Sequence, residues 1–201
     1  MRVMVLHAHP VAESYNHALY NAVLETLEAN GHQVDPGVRD AEGVNPGRGR
    51  EGRLQYHDVP ENMTPELKPY VDRLMAAEGL VIVHPVWNYG FPAILKGYFD
   101  RVFMPGVSFV LEGGESADKG RLKPNLKHIR KVVFVTSYGG DRWRTWLMGD
   151  PPRRLAKRWG WVTFGGALPP TYLALYDMNN VTPDGLKGFI DKVKRVIGRV
   201  F

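Results

Sequence analysis

The stretch that most constrains the fold is Gly79 to Phe103, which reads G-L-V-I-V-H-P-V-W-N-Y-G-F-P-A-I-L-K-G-Y-F-D-R-V-F. Leu80 to Val83 is an unbroken apolar run, rich in β-branched residues and too short for a buried helix, so it predicts a central strand covered on both faces. Pro85 cannot extend a ladder, and Pro92, with its φ already set, opens a helix that runs to about Val102. Between them lies a loop bearing three aromatics, an amide and a glycine. Open parallel sheets build their ligand crevices beyond the carboxyl ends of the strands, where such a loop sits. Trp87, Tyr89 and Phe91 either close the core or line a site for a flat aromatic ligand. The length and aromatic content of the loop favour the second.

Other strands and helices alternate around this unit. Arg2 to Leu6 predicts the first strand, and His7 to Glu13 a loop. Ser14 is a good N-cap for a helix from Tyr15 to about Ala29, whose apolar residues keep helical spacing until Asn30-Gly31 stops it. A short strand is expected over Gln33 to Val38, at a sheet edge because Pro36 interrupts it. Asp40 to Met63 and Met104 to Asn125 have no predicted regular structure. Thr64-Pro65-Glu66 is expected to open a helix to about Ala77, kinked near Pro69. Lys131 to Thr136 predicts a second buried strand, ending in Ser137-Tyr138-Gly139-Gly140. A basic helix is expected from Asp150-Pro151-Pro152 to about Trp159, a fifth strand over Trp161 to Phe164, and an extra strand or rim segment over Leu173 to Tyr176. Thr182-Pro183-Asp184 opens the last helix. Alternating strands and helices imply parallel pairing with right-handed crossovers. Five units in 201 residues predict a single α/β domain, a flavodoxin-like doubly wound sheet of order 2-1-3-4-5 with helices on both faces.

Composition removes several function classes. The chain has no cysteine, so disulfides, thiolate nucleophiles and cysteine metal sites are excluded, and redox chemistry would require a cofactor. The formal charge of +5 is spread along the chain and mixed with 21 acids, which argues against nucleic acid and suits an anionic small molecule such as a nicotinamide dinucleotide. No apolar run is long enough to span a bilayer, and no charged and apolar leader precedes the first strand, so a cytoplasmic protein is expected. His7 and His9 lack a third ligand in motif spacing, and no metal site is expected. The Walker loop, the first-strand dinucleotide fingerprint and the serine-hydrolase elbow are all absent.

Pro92 to Val102 resembles a motif of the flavodoxin-like NAD(P)H:quinone oxidoreductases, the family of DT-diaphorase and modulator of drug activity B. There a proline-led aromatic loop precedes P-A-I-L-K-G, two aromatics, an acid and R-V. The resemblance implies three cofactor loops. His9, Ser14, Tyr15 and Asn16 match the flavin-phosphate loop; spacing alone is that of an ordinary Ser-capped helix. Pro85, Val86, Trp87, Asn88 and Tyr89 match the loop against the flavin ring. Thr136, Ser137, Tyr138, Gly139 and Gly140 match the segment at its pyrimidine side, where glycines let the backbone approach a ring edge.

What the resemblance implies is a homodimeric enzyme that takes hydride from NAD(P)H onto a flavin and reduces a small quinone. The first loop follows the FAD branch, whereas Asn88 looks more like FMN-dependent azoreductases, so FAD is expected with FMN as the alternative. An azo- or nitro-type reductase, or a non-catalytic ancillary subunit of an ion-efflux system, are the competing functions. The tyrosine and histidine that follow the third loop in the mammalian enzymes have no counterpart here, where Asp141, Arg142, Trp143, Arg144 and Trp146 stand, and no catalytic residue is assigned. Arg142, Arg144, Arg153, Arg154, Lys157 and Arg158 form a basic cluster that is either a solvated face or a contact for the 2′-phosphate of NADPH.

Overall fold

A computed structural model describes residues 1–37, 45–112 and 121–201. The main sheet contains β1 (Arg2–His7), β2 (Gln33–Gly37), β3 (Gly79–Val86), β6 (Lys131–Tyr138) and β7 (Thr171–Leu175). All four pairings are parallel and the order is β2-β1-β3-β6-β7, the expected 2-1-3-4-5 winding. A separate antiparallel pair joins β4 (Phe109–Glu112) to β5 (Arg121–Pro124).

The two faces follow from the period of two in a strand. Val3, Val5, Val81, Val83, Val133 and Val135 point to one side, against Leu19, Tyr20, Val23 and Leu27 of α1 (Tyr15–Ala29) and Phe189, Val193 and Ile197 of α7 (Pro183–Val200). Their neighbours Met4, Leu6, Leu80, Ile82 and Phe134 point to the other side. There they meet Leu74 of α3 (Lys68–Ala76), Leu95, Tyr98, Phe99 and Val102 of α4 (Ala93–Val102), and Ala156 and Phe164 of α6 (Pro151–Phe164). Burial on both faces explains why β3 reads as a continuous apolar run. Among the described residues no helix is long and apolar enough to cross a membrane.

Four expectations are corrected. Trp161 to Phe164 is not a strand but the last turn of α6, and the fifth strand is Thr171–Leu175, in the region read as an extra strand or rim. Local β-propensity loses because a helix started at Pro151 meets no terminator before Gly165, which ends it in the left-handed conformation at φ 61°. The helix expected from Thr64 begins at Lys68, after a turn in which the Leu67 and Lys68 amides donate to the Thr64 carbonyl. Pro69 therefore sits in the first turn, where its missing N–H disturbs nothing, and no kink is needed. Within 45–63 the chain forms α2 (Arg50–Leu54) and a 3₁₀ turn (Gln55–His57), and the segment after Met104 contains the β4–β5 hairpin. Val38, Asp40, Gly113, Gly114 and Gly120 lie outside the described residues.

As expected, β2 is an edge strand, and Pro36 is tolerated there. Asp35 ties it down, accepting from Arg2 of β1 at 3.1 Å and from Arg73 of α3 at 2.7 Å. Burial opposes ionisation of this carboxyl, but Arg73 and Arg2 outweigh it and hold its pKa below the ordinary value.

Gly97, the glycine of the Pro92 motif, has a packing reason. A Cβ there would lie 2.4 Å from Pro46 Cα and 2.6 Å from its carbonyl oxygen, so α4 and the segment before α2 touch through backbone. Gly97→Ala is expected to destabilise by about 1–3 kcal/mol despite the better helix propensity of alanine, because backbone must move. Urea unfolding of the variant measures this.

Candidate functional site

The three loops leave neighbouring strands side by side. His7 is level with Val83, and Pro85 and Val86 are level with Ser137 and Tyr138. The first loop stays on the sheet for one more step, the Ala8 amide donating to the Val83 carbonyl at 3.1 Å. It is then closed by the His9 ring, whose Nδ1 accepts from the Val11 amide at 3.1 Å. Ser14 is the N-cap of α1, its hydroxyl accepting from the His17 amide at 3.1 Å. The cap leaves the first amides of a 15-residue helix facing the crevice, where the helix dipole favours an anion.

The second loop is a tight turn. Trp87 and Gly90 exchange two backbone hydrogen bonds, and the residues between them, Asn88 and Tyr89, have φ of 48° and 56°. Positive φ at both central positions is the type I′ pattern, which asparagine accepts readily and tyrosine does not. Backbone strain of this kind concentrates at ligand sites. It places the Tyr89 hydroxyl 3.8 Å from where a Cβ would stand on Gly140 of the third loop. Replacing Tyr89 by glycine is expected to leave stability within about 1 kcal/mol of wild type, because relieving the left-handed strain offsets the lost ring. Thermal melts of the variant measure this.

Contacts across the crevice join the loops in pairs. The His9 ring meets the half-exposed Trp87 indole edge-on with centroids 5.9 Å apart, joining the first to the second. Tyr89 meets Gly140, and buried Asn16 reaches Ser137, its Nδ2 donating to Oγ at a long 3.5 Å. The third loop is pinned by the Asp177 amide, which donates to the Gly140 carbonyl at 3.0 Å. His9, Ser14, Asn16, Trp87, Asn88, Tyr89, Ser137, Gly139 and Gly140 thus gather at one end of the sheet. The side chains of Tyr15, Thr136 and Tyr138 turn elsewhere. Tyr15 donates to the Leu186 carbonyl at 2.8 Å, with its pKa pushed up to about 12 by burial. Thr136 donates to the Leu173 carbonyl at 3.3 Å. Tyr138, on the same face of the sheet as Phe134, donates to Asp150 just before α6. Pro85 contributes its backbone, the carbonyl accepting from His84 Nδ1 at 2.9 Å, and Val86 is half-buried at the end of β3.

A group that sequence reasoning missed supports the third loop from outside the crevice. Asp150, in the left-handed conformation before α6, accepts from Tyr138 at 2.7 Å and from Tyr176 at 3.0 Å, while the Tyr138 and Tyr172 hydroxyls lie 2.5 Å apart. The Tyr138 and Tyr176 rings stack at 4.6 Å. Burial pushes the Tyr138 and Tyr172 hydroxyls above their ordinary pKa. In the sequence, Asp150-Pro151-Pro152 signals only a helix start.

These residues fit a flat phosphorylated ring system. The Asn16 Oδ1 and Thr145 Oγ1 atoms are buried near the crevice without a hydrogen-bond partner. Nothing lies closer than 3.7 Å to a Cβ built on Gly139 or Gly140, which leaves the backbone open to a ring edge. A cavity of about 770 Å³ lies elsewhere, between α4, α6 and the β4–β5 hairpin, and Phe91 of the second loop reaches it.

Fold and crevice together define a doubly wound α/β protein of the flavodoxin-like class. The family model described as the flavodoxin-like fold matches residues 1–194, and the chain belongs to that family. It is 33% identical over 141 residues to a Haemophilus influenzae protein named an uncharacterized NAD(P)H oxidoreductase, covering 68% of this chain and 64% of that one. Over 157 residues it is 28% identical to the FMN-dependent NADH:quinone oxidoreductase of Mycoplasma pneumoniae, covering 74% and 72%. The solved NAD(P)H:quinone oxidoreductase of Methanothermobacter marburgensis shares the fold, with a TM-score of 0.81 at 21% identity over 99% of this chain and 96% of that one. Alignment spans just under two-thirds of the length of the first curated relatives, 66% and 64%.

Proposed function

We propose that the protein is a flavin-dependent NAD(P)H:quinone oxidoreductase, converting NAD(P)H, a proton and a quinone into NAD(P)⁺ and a hydroquinone. The observation that carries this is the pairwise contact of three strand-end loops around a crevice with buried unpartnered polar atoms. A bound flavin supplies the chemistry, accepting hydride and returning two electrons. The chain's own residues bind and orient. The α1 amides, the Ser14 hydroxyl hydrogen and the Asn16 amide would hold a phosphate. Trp87 and Tyr89 wall the crevice and exclude water, and the backbone of Pro85, Val86, Gly139 and Gly140 faces the ring edge. Nothing in the crevice is assigned a proton-transfer role.

FMN is favoured over the FAD expected from the first loop. The Mycoplasma pneumoniae relative, named FMN-dependent, aligns over most of both chains, and the Asn88-Tyr89 turn carries the asparagine that resembles FMN-dependent azoreductases. We also propose a homodimer through the α4 face, where the 770 Å³ concavity opens among Phe91, Phe99, Phe103 and Trp159, and a cytoplasmic setting, which suits a chain without cysteine. Mass spectrometry of the released cofactor, followed by a steady-state assay with NADPH or NADH and a soluble quinone, tests the reading. A colourless protein that takes up neither FMN nor FAD would overturn it. Light scattering tests the dimer.

A further inference from the structure

The first half of α6 contradicts its own helix chemistry. Arg153, Arg154, Lys157 and Arg158 fall within two turns, so Arg153 with Lys157 and Arg154 with Arg158 are like-charge pairs four residues apart, which is unfavourable. They also stand toward the end of the helix dipole that disfavours cations, with no acid in the first turn. Among the described residues no ion pair joins any of the four to a carboxylate. Asp150, which lies just before the helix, accepts one hydrogen bond on each oxygen, from Tyr138 and from Tyr176. A local arrangement kept against two penalties marks a functional surface.

The structure also divides the basic cluster. Arg142 lies over the Tyr176 ring at 5.3 Å, Arg153 over the Tyr172 ring at 5.9 Å, and Arg144 pairs with Asp141 at 3.5 Å. These three have structural partners. Arg154, Lys157 and Arg158 remain, and with Trp146, Gly149, Asp150 and Arg153 they wall a concavity of about 280 Å³. The Arg154 guanidinium is held over Gly149, 3.3 Å from where a Cβ would stand. Beside it, the Trp146 and Trp143 indoles stack on each other at 5.0 Å, each 67% exposed. An open indole platform next to three cations that pair with no carboxylate among the described residues matches a purine base that carries a phosphomonoester: the base stacks, and the guanidinium forks take the oxygens. Asp150 of this concavity accepts a hydrogen bond from Tyr138 of the third loop, which links the two regions.

We propose that Arg154, Lys157 and Arg158 bind the 2′-phosphate of NADPH, with Trp146 under the adenine, and that the protein therefore selects NADPH over NADH. This rests on the reductase reading. The test is titration calorimetry of the flavin-loaded protein with adenosine 2′,5′-bisphosphate and with 5′-AMP, alongside kcat/KM for NADPH and NADH. The bisphosphate should bind at least tenfold tighter than 5′-AMP, and the preference should persist at moderate salt, unlike that of a diffuse field. Arg154→Ala or Arg158→Ala should each lower the bisphosphate affinity and the NADPH to NADH ratio by roughly ten- to hundredfold. Trp146→Ala should weaken both adenosine nucleotides together. Equal binding of the two nucleotides by wild type, or an unchanged preference in both arginine variants, would overturn the proposal. So would binding to anionic phospholipid vesicles or inorganic phosphate with no binding of the bisphosphate. If the reductase reading itself is wrong, neither dinucleotide turns over, and the bisphosphate titration alone decides the site.

Discussion

Lowering the pH from 7 to 4 will cost the fold about 3 kcal/mol through one side chain, His84. It is completely buried near the carboxyl end of β3, its Nε2 has no partner, and the edge of the Phe91 ring packs on it at 4.9 Å. Burial lowers its pKa from 6.5 to about 4, and the hydrogen bond to the Pro85 carbonyl offsets only part of that. The folded state therefore keeps His84 neutral down to about pH 4, while the unfolded chain takes up a proton below 6.5. Between those values the unfolded state holds more protons, so stability falls as pH falls. The contribution is fully present above 6.5, and its loss is complete below about 4. At 1.36 kcal/mol per unit the gap gives about 3 kcal/mol, a large part of a typical total of roughly 5–15 kcal/mol. Urea unfolding of wild type and His84→Phe at pH 7 and pH 4 isolates this from the carboxylates. The variant should lose about 3 kcal/mol less than wild type, and equal losses would show that His84 is not the source.

Asp150→Ala should destabilise the protein by about 3 kcal/mol. It removes two hydrogen bonds to a charged acceptor, each worth roughly 1.5–3 kcal/mol, and leaves the buried Tyr138 hydroxyl with only Tyr172. Alanine must also adopt φ 45°, which adds about 1 kcal/mol, while some of the freed polar groups regain water. Asp150→Asn keeps an acceptor and tolerates that conformation, so about 1 kcal/mol is expected. Because Tyr138 and Asp150 share one network, Tyr138→Phe combined with Asp150→Ala should cost clearly less than the sum of the two single changes. A loss below about 1 kcal/mol for Asp150→Ala would mean that the network does not hold the third loop.

What was legible in the sequence was whatever short-range chemistry settles. Ser14 and Thr182 cap their helices with side-chain hydrogen bonds, as their positions implied. The valines of β1, β3 and β6 declare two-sided burial by themselves, and with the alternation of strands and helices they lead to the 2-1-3-4-5 sheet and to loops at one end of it. Tertiary structure alone decided where the side chains of those loops go. Tyr15 is drawn to Leu186, Thr136 to Leu173, and Tyr138 to Asp150 and Tyr172, partners that no local pattern reveals. The fifth strand needed β6 as a neighbour, because Thr171–Leu175 is no more strand-like in isolation than Trp161 to Phe164, and only the ladder beside Val133 to Ser137 selects it. The division of the basic cluster into ring-stacked and other cations has the same origin, since it depends on tyrosines brought from β7 and the residue that follows it. Backbone propensity acts over a few residues, whereas burial and hydrogen-bond completion act wherever the packed chain brings groups together.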